Sequence, residues 1–206
     1  DELDLETGKA LLRRCSLTPD ADWLPAYVVK GEGIYIELNS ERLSEWETRS
    51  CVQRRGEKIG RPLRSHSLGK EKTTCELSPR FVLLHTLSHL LINELVFACG
   101  YSSASLRERV YASSQPVSEM KGLLIYTAAG DSEGTLGGLA RMASPARIHS
   151  TFRAALQNAR WCATDPVCME MGEHGQGPQY ANLAACYACA LVPETSCEEH
   201  NRFLDR

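Results

Sequence analysis

Five cysteines fall within residues 162–197: Cys162 and Cys168 in CATDPVC, Cys186 and Cys189 in CYAC, and Cys197 in ETSCEE. A CxxC pair sets two thiolates on one side of a tetrahedral ion. A second pair from a distant segment closes the site and leaves no open position, which is the chemistry of a structural zinc. The gaps of 5, 17, 2 and 7 residues between successive cysteines suit such a clip. Five candidates compete for four positions, so Cys186 and Cys189 form one half and the other is drawn from Cys162, Cys168 and Cys197. The chain holds nine cysteines in 206 residues, too sparse for a disulfide scaffold and odd in number, which favours reduced thiols and a metal.

Three other groups could carry chemistry. His85 and His89 stand four apart, on one helical face that Asn93 continues. The spacing matches a metalloprotease helix, but Thr86 occupies the place of the general-base Glu. The stripe is therefore expected to be a hydrogen-bonded polar seam between buried elements, separate from the cysteine site. In IYTAAGDSEGTLGGL, Asp131 and Glu133 sit among glycines beyond a strand, but no Gly-Lys-Ser/Thr follows, so nucleotide hydrolysis has little support; a tight structural turn is expected, with backbone amides cradling a phosphate or carboxylates touching a partner as the alternatives. An enzymatic alternative, a metal-dependent nuclease or hydrolase, would use His85, His89, Asp131 and Glu133. In RRGEKIGRPLRSHSLGKEK (54–72), the side chains of Arg54, Arg55, Lys58 and Arg61, with Arg64, Lys70 and Lys72 beyond, could neutralise phosphates.

That basic stretch is local. The chain carries 23 Lys+Arg against 26 Asp+Glu, a net charge of −3, so no bulk polycation is available to coat nucleic acid. Residues 1–50 hold 6 basic and 11 acidic side chains, whereas 51–80 hold 8 and 3. This contrast predicts three parts: an α+β fragment over 1–50, a basic linker or loop over 51–77, and a zinc-binding unit over 78–206. Asp1, Glu2, Leu3 and Asp4 form no basic-then-apolar leader, which makes the cytoplasm the expected compartment; the lack of an initiator Met suggests a piece of something longer.

The elements that position these residues follow from caps and periodicity. GEGIYIEL (31–38) alternates as a strand, and SERLSEWETR (40–49) opens on a serine cap. Ser78-Pro79 begins a helix that can run to Gly100. Its apolar residues run nearly all the way round, and His85, His89, Asn93 and Glu94 would be costly in lipid, so it is expected to be a buried core helix. SLRERVYAS (105–113) is expected to be a surface helix, GLLIYTAA (122–129) a strand beside the core helix, and Ser144-Pro145 the start of another helix. The expected class is α/β in the broad sense (α+β), mainly helical, with a small sheet and a C-terminal cysteine-ligated zinc site.

The segments LHTLSHLLINELVFACGYSSASLRER, GLLIYTAAGDSEGTLGGL, RWCATDP and LAACYACALVPETSCEEHNRFLDR resemble the MrfA-like zinc-binding domain that ends MrfA-type DNA-repair helicases. With WLPAYVVKGEGIYIELNSERLSEWE before them, the closer likeness is to the DrmB family of the DISARM phage-defence system, which carries this domain and partners the helicase DrmA. The resemblance covers most of the chain. It implies zinc on Cys186, Cys189 and Cys197, completed by Cys162 or Cys168. It further implies a non-catalytic subunit that holds a DrmA-like helicase and meets DNA through that complex, with no membrane and with any ATPase activity in the partner. The helicase branch has Tyr-Asp-Thr/Ser before its glycines, where this chain has Tyr126-Thr127-Ala128 and a later Asp131.

Overall fold

A computed structural model of the chain describes residues 30–61, 77–127, 137–171 and 174–206. At its centre is the helix expected from Ser78-Pro79, here α3 (Pro79–Cys99). The Ser78 hydroxyl accepts the Phe81 N–H at 3.2 Å, Pro79 supplies the first turn, and Gly100 ends the helix in the left-handed region at φ 73. Thirteen of its residues are buried, among them Leu84, Leu91, Ile92 and Leu95 at 1% exposure or less. By length and hydropathy α3 could cross a membrane, but 67% of its most apolar window is buried inside the protein. A helix apolar on all sides needs protein on all sides, and the remaining elements supply it.

One side is a three-stranded antiparallel sheet in the order β1-β3-β2, built from β1 (Gly33–Glu37), β2 (Leu106–Ser113) and β3 (Met120–Thr127). Period-two alternation turns Ile34, Leu106, Glu108, Leu123 and Ile125 inward, and all five are buried. The outer face carries Tyr35, Tyr111, Tyr126, Arg107 and Arg109, with Tyr35 and Tyr111 edge to face at 6.1 Å. The other sides of α3 are packed by α1 (Ser40–Glu47), α2 (Ser50–Lys58), α4 (Gly138–Met142) and α5 (Pro145–Asn158). The class is the expected one, helices around a small sheet, and the sheet is wholly antiparallel.

Two local expectations are corrected. The segment 105–113, expected as a surface helix, is β2, the edge strand paired to β3 from Leu106↔Thr127 to Ser113↔Met120. Its alternation is masked in the sequence because Glu108 stands at an inward position where an apolar residue would normally be. The first eight residues of the expected linker are helical, in α2. Val52, Gly56 and Ile59 recur at i, i+4 and i+7, and Gly56 lets Pro79 approach so closely that an added Cβ would lie 3.1 Å from its ring. A glycine in the contact stripe removes the apolar signal while making the contact possible. The remainder of the basic stretch, including Arg64, Lys70 and Lys72, lies outside the described residues, as does 128–136 with Asp131 and Glu133. The boundaries at 50 and 77 do not divide the described elements in space, since β1 is hydrogen-bonded to β3.

Candidate metal centres

Four of the five cysteines converge. Cys162 follows α5, and Cys168 sits in the one-turn α6 (Val167–Glu170). Cys186 and Cys189 share a tight turn in which the Cys186 carbonyl accepts the N–H groups of Cys189 and Ala190 at 3.1 and 3.0 Å. The Cys186 N–H in return donates to Cys189 Sγ at 3.2 Å. This local geometry explains why a CxxC reads as a half-site: the turn that brings the sulfurs together also points an amide at one of them.

The Sγ atoms of Cys162 and Cys186 lie 3.5 Å apart, those of Cys186 and Cys189 3.8 Å, and those of Cys168 and Cys189 3.9 Å. None of these cysteines forms a disulfide. A tetrahedron with zinc–sulfur bonds of about 2.3 Å has edges of about 3.8 Å, so the four sulfurs fit one zinc ion. Burial pushes the Cys168 and Cys189 thiols up. At Cys162 hydrogen bonds from Thr164, and from Cys186 and Cys189, outweigh burial and draw the thiol down to about 7. Gln176 Nε2 donates to Cys168 Sγ at 3.3 Å. The enclosed Arg206 spans this end of the molecule. Its guanidinium donates to the Ala159 carbonyl at 2.8 Å and pairs with Asp165 at 2.5 Å, and Asp165 accepts the Cys162 N–H at 2.8 Å. Against partial desolvation, Arg206 and that N–H hold the Asp165 carboxyl below its usual range.

The fifth cysteine is elsewhere. Cys197 does not join the other four, which corrects the expectation that it competes for a place among them and the ligand set implied by the resemblance. Its backbone follows the 3-10 turn Glu194–Ser196 toward the middle of α3, where its sulfur lies 3.2 Å from His85 Nε2. His89 and Glu108 complete a group whose ligand atoms all lie within 4.8 Å of one another. Glu108 Oε1 is 2.9 Å from His85 Nε2 and 3.3 Å from His89 Nε2. All four residues are buried, at 5% exposure or less. Burial alone would raise the Glu108 carboxyl, but the two imidazoles hold it far below the carboxylate range. Burial and the Glu108 charge push the Cys197 thiol up.

The polar seam thus has the two histidines as expected, while Asn93 is half-buried and outside the group. Sequence reasoning missed Glu108 because it was assigned to the surface of a helix; the flanking Arg107 and Arg109, alternating with Leu106 and Val110, were the available signal. Of the basic candidates, Arg54 and Arg61 are exposed on and just beyond α2, and Lys58 is half-buried. Arg55 is engaged, its guanidinium forked onto the Asp205 carboxylate, which also raises its pKa.

Comparison with known proteins adds two findings. Residues 87–190 match the family model of the MrfA Zn-binding domain, a stretch that contains all four converging cysteines and stops before Cys197. The DISARM protein DrmB of Bacillus paralicheniformis is 42% identical over 190 residues, which is 90% of this chain and 32% of that protein. The chain spans about a third of the length of this relative.

Proposed function

The chain belongs to the MrfA Zn-binding domain family, and from that premise we propose that it acts as a non-catalytic, zinc-containing subunit in prokaryotic antiviral defence of the DISARM type. In this reading it works in the cytoplasm, holds a DrmA-type helicase, and supports DNA binding by the complex while the partner turns over ATP. The observation that carries the reading is the closed nature of the cysteine site. Four sulfurs at this spacing would fill the coordination sphere of a zinc ion, and a metal with no open position organises a fold and does not activate water. Cys162, Cys168, Cys186 and Cys189 would hold the ion, and the chemistry it supplies is cross-linking of distant segments.

The sequence relationship supports the biological setting, because the 42% identity extends over nearly the whole chain and includes the segment before the matched domain. The exposed Arg54 and Arg61 support a local contact with phosphates. The test is co-purification of the full protein with a DrmA-type helicase, followed by DNA binding of each component and of the complex. A stable complex that binds DNA more tightly than the helicase alone is the expected result. Absence of a complex, or metal-dependent nuclease activity from this chain by itself, overturns the reading.

A further inference from the structure

We propose that His85, His89, Glu108 and Cys197 form a second zinc site, separate from the four-cysteine site. The site sits at the junction of α3, β2 and the 194–201 loop. The inference does not rest on the defence reading above; it rests on geometry.

The ligand atoms converge on one centre, with two of their separations somewhat shorter than the edges of a metal-filled coordination shell. His85 Nε2 lies 2.9 Å from Glu108 Oε1 and 3.2 Å from Cys197 Sγ, and His89 Nε2 lies 3.3 Å from the same Glu108 oxygen. A zinc tetrahedron with nitrogen and oxygen ligands at about 2.0–2.1 Å and sulfur at about 2.3 Å has edges of roughly 3.3–3.6 Å. The two imidazoles are set edge to face with ring centroids 4.6 Å apart, so both Nε2 atoms approach one region without stacking.

The outer atoms of His89, Glu108 and Cys197 are held by the protein in the manner of a metal site, whereas His85 Nδ1 is buried without a hydrogen-bond partner. His89 Nδ1 lies 2.9 Å from the Ala190 carbonyl oxygen. A carbonyl only accepts, so the proton is on Nδ1 and Nε2 is left to face the carboxylate. The Ser88 hydroxyl donates to Glu108 Oε2, and the Asn201 N–H donates to Cys197 Sγ at 3.2 Å. Each support orients a donor atom toward the shared centre.

Charge balance suits an ion at this site. A Zn²⁺ ion with one thiolate, one carboxylate and two neutral imidazoles is neutral overall, an arrangement suited to residues with 5% exposure or less. A mixed nitrogen, oxygen and sulfur set of four ligands suits zinc. On binding, the Cys197 S–H bond breaks, the proton leaves to solvent, and the sulfur electron pair forms the bond to the metal. A cavity of about 340 Å³ lined by Phe81, His85, Glu108, Arg109, Glu198 and Glu199 reaches the cluster and provides a route for the ion. Ala190 directly follows Cys189, so the His89 bond ties this site to the turn of the first one.

The test is zinc stoichiometry of the full chain, with zinc X-ray absorption on the same unaltered protein. The chain is expected to bind two zinc ions, with five sulfur ligands shared between them and imidazole scattering in the spectrum. Glu108→Gln and Cys197→Ser should each lower the content by one equivalent and leave a sulfur-only spectrum from the remaining site. Should either variant lose both ions by misfolding, the spectrum of the unaltered chain still decides. A single zinc with four sulfurs and no imidazole signal, or two equivalents retained in Glu108→Gln, overturns the proposal in favour of a proton-bridged cluster.

Discussion

Arg206 is the side chain on which the cysteine site leans for charge balance. A zinc ion with four thiolates carries a net charge of −2, and Arg206, fully enclosed and raised in pKa by Asp165 and by the neighbouring sulfurs against its own desolvation, places a fixed positive charge beside it. Replacement by methionine keeps the bulk and removes the charge together with the bonds to Asp165 and Ala159. Competition with a chromophoric chelator should then show zinc held about 10–100-fold more weakly. Cys189→Ser acts more directly. The CxxC turn loses a ligand, metal binding energy is folding energy, and the variant should aggregate with less than about half an equivalent of zinc in the first site by elemental analysis. A variant that melts at the parent temperature would show that the sulfurs need no ion.

At the scale of elements, the sheet and the helices are joined by polar side chains that no local pattern announces. Glu32, just before β1, accepts the N–H groups of Gly137, Leu139 and Ala140 and the Tyr101 hydroxyl, and so caps α4 from across the fold. Partial burial would raise its carboxyl, but these four donors lower it. The unfolded chain therefore binds the proton more tightly than the folded one. The stabilisation is fully present above the ordinary carboxylate range near 4.5 and is lost as the pH falls through the lower folded value. Glu32→Gln should cost about 1 kcal/mol near neutral pH, the scale of a lost helix cap, and the gap to the parent should close in acid melts. Arg80 plays the same connecting part at the start of α3. It is 3% exposed, forks onto Glu47 of α1, and donates to the Ser113 carbonyl and Glu119 at the β2–β3 turn. Arg80→Leu leaves Glu47 without its partner and should destabilise the fold by about 3 kcal/mol in denaturant titration.

For the whole molecule, the net charge of −3 confines any DNA affinity to a patch, and the structure divides that patch by role. Arg55 is tied to Asp205, whereas Arg54 and Arg61 are exposed and Lys58 is half-buried. Neutralising Arg54 and Arg61 together should leave the melting temperature unchanged. It should also flatten the slope of log affinity against log salt by about 2 in the DNA-bound complex, with equal loss on unrelated sequences. Arg55→Gln should behave in the opposite way, lowering stability with little effect on the slope. An unchanged salt titration in the double variant would assign the DNA contact to the partner.

The sequence by itself determined what short-range chemistry encodes. Ser78, Pro79 and Gly100 delimit α3 because caps act within one turn, and the all-round apolar surface of that helix made it the core. CYAC specified half of a metal site because its geometry is closed within four residues. The tertiary structure decided everything that depends on which distant groups meet. It chose Cys162 and Cys168 over Cys197, since spacing constrains how far a cysteine can reach but not the direction in which its loop is carried. It turned Glu108 inward on β2 and gave His85 and His89 a carboxylate and a thiol 19 or more residues away in sequence. It also made a helix of the start of the basic stretch, as far as Lys58, by docking Gly56 against Pro79. Long-range packing settles such pairings, and their energy has no local signature because each partner alone looks like an ordinary surface or core residue.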